Sequence, residues 1–557
     1  MKKFIRPLVL ILLIVLMLAP RLVELTKFTA ADEPFWLVVG ANYYYALTHG
    51  ELENTVYEYH PAVTTMWIGA AAMLAYFPEY RSMMNGYFEQ EKTSFDTYLI
   101  EHGKDPLALL WWARFFQVLL NVFLFLVAFL LLRSMLGEWT AIGILLLTSF
   151  APYLFGQSRM LNHESMVGLF SLSTVLALTA YLFSKPQPAW LVLSAGSAAF
   201  ANLTKSSAIV LFPVAAVMVF VWTFVQWRET HKFNWVALLK TYFIWVGISF
   251  AVYLIAWPGM WVAPAKMLNE VYANAFSFAF QGAQISITQE LDPSRFRLAS
   301  IGQDFGGFVV SIAWRTTPLA WIGLLFAVGF LFHQNRELVP SLAKYVIAFL
   351  LMEALAYVGM FSLAQGRNQP HYVLAAYYGI EFTAAWGWVI TLRWLTRSFA
   401  WAAKPLTQAV LFSVLFVAQA FPLPADAPYY FTYLNPLMSL VAGKPAAFFY
   451  GERMEEAAAY LAQKPEAEKQ TALVYFGRSF SYYYPGRTLL FKPVLFEDRP
   501  QLVDELRQSD YLVIYSGFED RLPLLKELTP EHVIKMHNRP YVEIYRVEDI
   551  SPGFFDE

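Results

Sequence analysis

Residues 107–132 read LALLWWARFFQVLLNVFLFLVAFLLL, and Arg114 is the only charged residue among them. A helix of roughly 20 apolar residues is long enough to cross a bilayer, so this stretch predicts a membrane span. The whole chain has a similar character, because 58% of its 557 residues are hydrophobic and only 15% are charged. A soluble protein would have about 25% charged residues. The sequence therefore predicts a polytopic α-helical membrane protein.

Further apolar stretches of similar length follow the same pattern and bring the prediction to about 11 transmembrane helices. They lie near residues 5–23, 107–132, 139–156, 164–183, 188–204, 207–225, 235–256, 317–332, 340–361, 374–392 and 405–421. Basic residues precede the first span and collect in alternate loops, so the positive-inside rule predicts a cytoplasmic N-terminus. We expect a multi-pass protein of the plasma (inner) membrane.

The first apolar stretch has a second interpretation, as a cleaved signal peptide. Lys2 and Lys3 would form its basic region and Leu8–Leu18 its apolar region. Ala19, Pro20 and Arg21 make a poor cleavage site, however, which favours an uncleaved anchor.

The C-terminal segment is much more polar than the rest of the chain. With eleven spans, it would lie outside the cytoplasm. Helical patterns alternate there with apolar strands; the helices are predicted at Glu452–Gln463, Gln501–Gln508 and Arg521–Leu528, and the strands at Ala472–Phe476, Tyr511–Tyr515, Val533–Met536 and Tyr541–Tyr545. We therefore predict a transmembrane body over residues 1–440 and a small extracytoplasmic α/β domain over residues 441–557.

Two connections between spans, residues 24–106 and 257–316, are far longer than a hairpin loop. Long loops in a compact protein are usually functional. The first of them contains two helical patterns, Pro34–His49 and Pro61–Tyr76, which predict helices along the membrane surface. The second pattern could instead be a further span.

Asp32 and Glu33 are adjacent acids between the first span and Pro34. Carboxylates at a membrane surface can bind a divalent cation or act as a general base. The alternative is that they only stabilise the N-terminus of the helix that follows.

The turn between the spans 139–156 and 164–183 contains Arg159, His163 and Glu164. Ionisable side chains at membrane depth are costly and are often functional. The alternative is structural: Asn162 would cap the next helix, and Arg159 would pair with Glu164.

Basic residues recur at the outer ends of spans, where membrane topology does not favour them. Arginine and lysine form charge-assisted hydrogen bonds with phosphate, so a lipid-linked phosphate would account for this pattern. Taken alone, each could simply extend toward the headgroups. The residues are Arg114, Lys205, Arg315 and Arg367, with His371 nearby; Tyr57, Tyr59 and His60 could line the same cleft.

These elements occur in a fixed order along the chain: Asp32 and Glu33; Tyr59, His60 and Pro61; Ala113 and Arg114; the turn 159–164; Leu203, Thr204 and Lys205; Trp257, Pro258, Trp261 and Pro264; Arg315 to Pro318; and Arg367 to Tyr372. The ordered set resembles the type C (GT-C) glycosyltransferase superfamily, in particular bacterial relatives of protein O-mannosyltransferases and lipid A aminoarabinose transferases. The resemblance covers roughly residues 1–440.

The resemblance implies an integral-membrane glycosyltransferase. Such an enzyme moves a monosaccharide, with inversion, from a polyprenyl-phosphate carrier to a lipid, protein or glycan acceptor at the outer face. It implies that Asp32, beside Glu33, is the general base, and that Asp32, His163 and Glu164 could bind a divalent cation such as Mg or Mn. Contacts with the donor phosphate are implied for the basic set, namely His60, Arg114, Arg159, Lys205, Arg315, Arg367 and His371.

The chain departs from the family pattern at residues 59–62. Tyr59, His60, Pro61 and Ala62 stand where aminoarabinose transferases have Glu and Lys before a Pro-Pro pair. His60 or Lys205 would then replace the phosphate-binding lysine of that pattern.

Composition excludes several other classes of function. A net charge of −2 argues against a nucleic-acid surface, and the absence of cysteine excludes disulfides and thiolate sites. A transporter or lipid flippase is the alternative function, although we see none of the internal repeats that are common in transporters. A third hypothesis treats the C-terminal segment as a binding module with a membrane anchor.

Overall fold

The computed structural model describes residues 2–57, 60–90, 92–184, 186–281, 301–335, 337–364, 369–442 and 449–556. The chain folds into two compact units. The first unit comprises residues 1–23, 39–86 and 113–446, and the second comprises residues 24–38, 87–112 and 447–557. The second unit therefore combines the C-terminal segment with two parts of the long connection 24–106.

Helices dominate the chain up to residue 442. The helices that begin before residue 160 are α1 Lys2–Leu22, α2 Glu33–His49, α3 Val63–Tyr76, α4 Ser94–Glu101, α5 Pro106–Leu136, α6 Glu138–Ser149 and α7 Pro152–Gln157. They are followed by α8 Glu164–Phe183, α9 Pro188–Thr204, α10 Leu211–Thr230, α11 Trp235–Ala256, α12 Gly259–Val262, α13 Pro264–Leu268, α14 Asn274–Gln281, α15 Ile301–Arg315, α16 Pro318–Leu331, α17 Ser341–Ser362, α18 Leu374–Ser398, α19 Pro405–Ala420, α20 Leu423–Asp426 and α21 Pro436–Val441.

Seven of the described helical segments are long and apolar enough to cross a membrane: Pro106–Leu136, Glu164–Phe183, Ser206–Thr230, Trp235–Ala256, Ser341–Ser362, Pro370–Ser398 and Pro405–Asp426. The pair α15 and α16, which is bent by 116°, would be an eighth if it forms one span. Shorter apolar helices occur at Pro7–Leu22, Val63–Tyr76 and Glu138–Ser149. The predicted polytopic helical fold is confirmed, while the count of eleven spans stays a prediction.

Helix α8 forms the centre of the first unit, and nearly all of its residues are buried. Ser165 and Ser171 of this helix lie 2.8 Å from the hydroxyls of Tyr378 and Tyr357, respectively. A side chain at Gly168 would collide with the ring of Tyr378, so glycine is needed for the close approach of α8 to α18. These contacts fix the first turn of α8 within the bundle.

Helices α2 and α3 lie where helices were predicted, at 34–49 and 61–76; their place along the membrane surface stays a prediction. They cross with their backbones in contact, because a Cβ atom at Gly40 would lie only 2.7 Å from the Cα atom of Gly69. Any larger residue at either glycine would push the two helices apart.

The C-terminal part of the second unit is an α/β fold, as predicted. Its helices are α22 Met454–Leu461, α23 Gly477–Ser481, α24 Arg499–Arg507 and α25 Gly553–Asp556, and its strands are β1 Thr471–Val474, β2 Arg487–Leu490, β3 Tyr511–Tyr515, β4 His532–Met536 and β5 Arg539–Arg546. The sheet has the order β2-β1-β3-β5-β4. Strand β1 is parallel to β2 and β3, whereas β5 is antiparallel to β3 and β4. The predicted helix at 521–528 is wrong; a short 3₁₀ turn, Pro523–Lys526, lies there.

A buried ion pair lies within the second unit. The guanidinium of Arg478 donates from Nη2 to Oδ2 of Asp96 at 2.9 Å, and the hydroxyl of Tyr482 donates to Oδ1 at 3.0 Å. The same guanidinium donates to the carbonyl oxygens of Gln90 and Pro34, at 2.7 and 3.2 Å. This pair links residues 34, 90 and 96 to the C-terminal segment.

Candidate active site

The centre of the candidate site is an ion pair between the ends of two neighbouring helices. Glu164 is the first residue of α8, and Lys205 directly follows the last residue of α9. A helix N-terminus favours an anion and a C-terminus favours a cation, so each charge suits its position. Nζ of Lys205 donates to Oε1 of Glu164 at 2.6 Å. Nε2 of His371 lies 3.9 Å from the same oxygen, and we call these three residues the Glu164 cluster.

Two adjacent threonines at the start of α3 position this cluster. Oγ1 of Thr64 donates to Oγ1 of Thr204 at 2.6 Å, next to Lys205. Oγ1 of Thr65 lies 2.6 Å from Nδ1 of His163, next to Glu164. The hydroxyls at the start of α3 therefore bind the residues that are adjacent in sequence to both members of the ion pair.

His163 is buried, and its surroundings favour the neutral imidazole. Burial lowers the pKa of His163 well below its usual value, and the nearby charge of Lys205 lowers this pKa further. The ring of His60 meets the ring of His163 edge to face, with centroids 5.5 Å apart. A neutral His163 adds no positive charge beside Lys205 and Glu164.

A cavity of about 220 Å³ lies beside Lys205. Its walls are mostly apolar and aromatic, with His60 and Lys205 as the basic side chains. Nζ of Lys205 lies 4.8 Å from the ring centroid of Tyr372 and 5.7 Å from that of Phe361. These two rings are nearly parallel, 9° apart. A phosphate could contact Lys205 here while an apolar chain lies along the wall.

The predicted turn 157–164 serves mainly to hold the bundle together. Nε of Arg159 donates to the carbonyl oxygen of Arg21 at 3.0 Å, and its Nη2 donates to that of Val23. The predicted pair between Arg159 and Glu164 is therefore wrong, because Arg159 points to α1 and Glu164 binds Lys205 instead. The predicted cap is confirmed, since Oδ1 of Asn162 accepts from the backbone N–H of Ser165 at 3.2 Å.

The other predicted phosphate ligands are distributed over the chain. Arg114 is buried in α5. Nη1 of Arg315 donates to the carbonyl oxygen of Phe431 at 3.1 Å, and its guanidinium stacks over Tyr153. Arg367 lies outside the described residues. Among the described residues of the basic set, Lys205 and His371 belong to the Glu164 cluster.

Two tyrosines, Tyr57 and Tyr59, were predicted to line the cleft. Tyr57 is buried in the first unit. Tyr59 lies outside the described residues.

Asp32 and Glu33 belong to the second unit. The hydroxyl of Tyr450 donates to Oδ2 of Asp32 at 2.8 Å. Glu33 is buried, and its Oε2 accepts from the backbone N–H of Ala30 at 2.6 Å. Glu33 thus stabilises the start of α2, as the structural alternative predicted, whereas Asp32 is exposed.

Within the part of the chain that the structure describes, no three His, Cys, Asp or Glu side chains are grouped to hold a metal ion. Of the proposed ligands, His163 contacts Thr65 and Glu164 contacts Lys205. The described donors therefore do not fit a metal centre, and the divalent cation stays a prediction.

No pattern in the sequence pointed to Thr64, Thr65 or Tyr450. Hydroxyl residues at a helix start are common as caps, so the two threonines of α3 looked ordinary. Tyr450 lies 418 residues from Asp32 along the chain. Only the folded second unit brings these two side chains together.

Comparison with known proteins gives one family match and several structural matches. Residues 58–262 match the family described as dolichyl-phosphate-mannose-protein mannosyltransferase. No curated protein matches this chain in sequence.

Among solved structures, ArnT from Cupriavidus metallidurans in the apo state is 13% identical, with a TM-score of 0.50, over 98% of this chain and 99% of that chain. The same protein bound to undecaprenyl phosphate is 14% identical, with a TM-score of 0.47, over 96% and 97%. An oligosaccharyltransferase from Archaeoglobus fulgidus is 12% identical, with a TM-score of 0.43, over 90% and 68%. At these identities the likeness to apo ArnT concerns the fold. The family match over residues 58–262 and this fold together confirm the resemblance of the chain to the type C membrane glycosyltransferase superfamily.

Proposed function

We propose that this protein transfers one monosaccharide from a polyprenyl-phosphate donor to a hydroxyl acceptor at the outer face of the membrane. The observation that carries the proposal is the position of Lys205. Its ammonium group borders a largely apolar cavity and is held by Glu164. A lysine at an apolar wall suits a ligand that joins a phosphate to a hydrocarbon chain.

The cavity favours the lipid-linked donor over a free sugar phosphate. An ammonium group has three N–H donors, so Lys205 can contact a phosphate oxygen while it keeps its bond to Glu164. The parallel rings of Phe361 and Tyr372 offer an apolar surface beside that phosphate. A sugar phosphate without the lipid would leave this surface exposed to water.

The proposed reaction is an inverting displacement. Asp32 accepts the proton of the acceptor hydroxyl, whose oxygen forms a bond to the anomeric carbon of the sugar. The bond between that carbon and the phosphate oxygen breaks, and its electron pair leaves with the polyprenyl phosphate. Lys205 stabilises the negative charge that develops on this phosphate.

Two neighbouring residues have supporting parts in the proposal. Glu164 holds Lys205 in position and balances its charge. Glu33 is assigned to the start of α2 rather than to catalysis, because it accepts a hydrogen bond from Ala30. No step is routed through a divalent cation.

The test of the general base is Asp32→Asn in membranes, with a labelled isoprenoid-linked sugar and an acceptor extract. Loss of a general base lowers rates by about 10²–10⁴-fold, and we expect a fall of this size. The control is Asp520→Asn, because Asp520 is an exposed acid of the second unit that pairs with Lys526 at the surface. Equal transfer by the two variants would exclude Asp32 as the base.

A second measurement tests the activity itself against the transporter alternative. Proteoliposomes that contain the wild-type protein should release polyprenyl phosphate only when an acceptor is present. Movement of the labelled lipid across the bilayer without any transfer would contradict the proposal and favour a flippase. Glu164→Gln should lower the rate of sugar transfer. The remaining transfer should still be measurable and should still depend on Asp32.

A further inference from the structure

A second cavity of about 610 Å³ lies within the first unit, between the start of α6, the end of α18 and the start of α19. His371 lies in the 3₁₀ turn Pro370–Val373 just before α18, and Arg393 lies near the end of α18, roughly 30 Å further along the helix. This cavity is therefore at the opposite end of α18 from the Glu164 cluster. It has no part in the proposed transfer reaction.

The charge of this cavity is positive. Arg393 is half-buried in its wall, where Nη2 donates to Oγ1 of Thr140 at 3.1 Å. The residues that line the cavity include no acid. Within the described ranges of the chain, no carboxylate pairs with Arg393. A cation in this position favours an anionic ligand.

Two more basic residues flank Arg393. Arg397 lies one helical turn further along α18, and Lys404 precedes the first residue of α19. Like charges at positions i and i+4 of a helix repel each other, so an anion near Arg393 would relieve this repulsion. The first backbone N–H groups of α19 lie at the same edge and add to the attraction for an anion.

Much of the remaining wall of the cavity is apolar. Phe412 and Leu392 line it, together with Trp139, which is 81% exposed. Trp401 is also exposed nearby in sequence. Exposed tryptophans at the ends of spans are typical of the level of the lipid headgroups. A ligand that fits must therefore have both an anionic group and hydrocarbon.

We propose that this cavity binds one anionic phospholipid of the surrounding bilayer. The phosphate of the lipid contacts Arg393, and an acyl chain lies against Phe412. The hydroxyl of Thr140 and the amide of Gln408 belong to the same wall. The lipid joins α6, α18 and α19, because these three helices supply the wall. It stabilises the packing of α19, whose own residues are mostly exposed.

The test measures thermal unfolding and lipid retention of the full-length protein in a neutral detergent. Phosphatidylglycerol should raise the melting temperature by several degrees, and phosphatidylcholine should not. Native mass spectrometry should show one retained phosphatidylglycerol per protein. Arg393→Gln should lose both effects. Inorganic phosphate, which lacks acyl chains, should not reproduce them.

Two variants keep the test decisive. Ala409→Phe fills the cavity from an exposed position and leaves all charges in place, so it should also lose the retained lipid. The matched control is Arg228→Gln, because Arg228 is an exposed arginine in the last turn of α10 that does not line the cavity. It should behave like the wild type.

Three outcomes would overturn the proposal. The first is equal stabilisation by phosphatidylcholine, and the second is equal stabilisation by inorganic phosphate, which would indicate a simple anion site. The third is an equal loss in Arg228→Gln and Arg393→Gln, which would indicate general surface attraction. Retention of the lipid by a folded Ala409→Phe variant would also contradict the proposed place of the acyl chain.

Discussion

The two units each contain an ion pair with little exposure to solvent, and the two pairs are built differently. In the second unit, Arg478 has four hydrogen bonds, two of them to Asp96 and one each to two backbone carbonyls. In the first unit, Lys205 binds Glu164 and lies beside a cavity. Both carboxylates are similarly buried, with 9% and 11% side-chain exposure. The difference lies in the cation and its surroundings.

This difference separates a pair that holds a fold from a pair that can bind a ligand. The planar guanidinium of Arg478 meets acceptors on several sides and connects distant parts of one unit. The ammonium of Lys205 is a compact charge whose donors rotate, and an apolar cavity beside it can admit a phosphate. Burial of an ion pair is therefore a poor guide to its role, whereas the type of cation and the space beside it are informative.

The largest effect is expected for Arg478→Met. The variant leaves the Asp96 carboxylate buried without its cation, which typically costs about 3–5 kcal/mol. We expect a clear fall in the denaturant concentration at which the second unit unfolds, measured on the full-length protein by proteolysis. The control is Arg487→Met, at an exposed position of β2 in the same sheet. If both variants unfold at the same denaturant concentration, the interpretation that Arg478 stabilises the second unit is wrong.

A smaller effect, on transfer rather than stability, is expected for Lys205→Met. Loss of one donor to a developing oxyanion lowers rates by about 100-fold, and we expect a fall of that order. Stability should fall by less than it does in Arg478→Met, because Lys205 borders a cavity and Nε2 of His371 lies 3.9 Å from Oε1 of Glu164. Transfer rate and melting temperature are measured together. Lys266→Met, at an exposed lysine of α13, is the control and should keep full transfer.

Conservative exchanges of the two cations sharpen the comparison further. Arg478→Lys should cost about 2 kcal/mol of stability, because an ammonium cannot reach the Asp96 carboxylate and the carbonyls of Gln90 and Pro34 together. Lys205→Arg should keep the charge and lose only about tenfold in transfer, with no large change in melting temperature. A stability loss at position 205 that equals the loss at 478 would remove the distinction between the two pairs.

The smallest effect concerns Glu531, which forms a surface ion cluster with Lys464 and Arg546. Burial acts to raise the pKa of Glu531, but the hydrogen bonds from Lys464 and Arg546 outweigh it and hold this pKa at about 2. Since the folded pKa lies below the ordinary value of 4.5, the cluster stabilises the fold above that pH. Its contribution is lost as the pH falls toward 2.

Glu531→Gln should therefore remove part of the acid dependence of the unfolding midpoint between pH 5 and pH 2. The effect should be about 1 kcal/mol or less, because solvent screens the cluster. Glu497→Gln, at an exposed acid of the same unit, should keep the wild-type acid dependence. An identical pH profile for Glu531→Gln and the wild type would show that a surface cluster contributes nothing here.

Hydrophobic pattern was sufficient for most of the fold. The span predicted at 107–132 is α5, and the strand predicted at Tyr511–Tyr515 is β3. Strand β2 was missed, because Arg487–Leu490 is a four-residue edge strand with partly exposed side chains and so lacks a clear alternation. The span predicted at 139–156 is two helices, since the chain breaks before Pro152, which begins α7.

The candidate site was predicted as a set of residues but not as a set of contacts. Scarce charges in an apolar chain singled out Glu164 and Lys205, and the structure brings these two side chains into contact. Their bond could not be predicted, because 41 residues separate them and Arg159 offered a nearer partner. Lys205 meets Glu164 because α8 and α9 pack antiparallel, and this packing depends on tertiary contacts.

The lysine beside the cavity also affects how a catalytic cycle would end. Each round of the proposed reaction leaves a spent carrier whose phosphate must leave the site before the next donor can enter. A guanidinium would hold that phosphate through two parallel bonds, whereas the ammonium of Lys205 holds it at one point and is readily rehydrated. The site is therefore suited to fast release, and accumulation of spent carrier in the membrane should inhibit it only weakly.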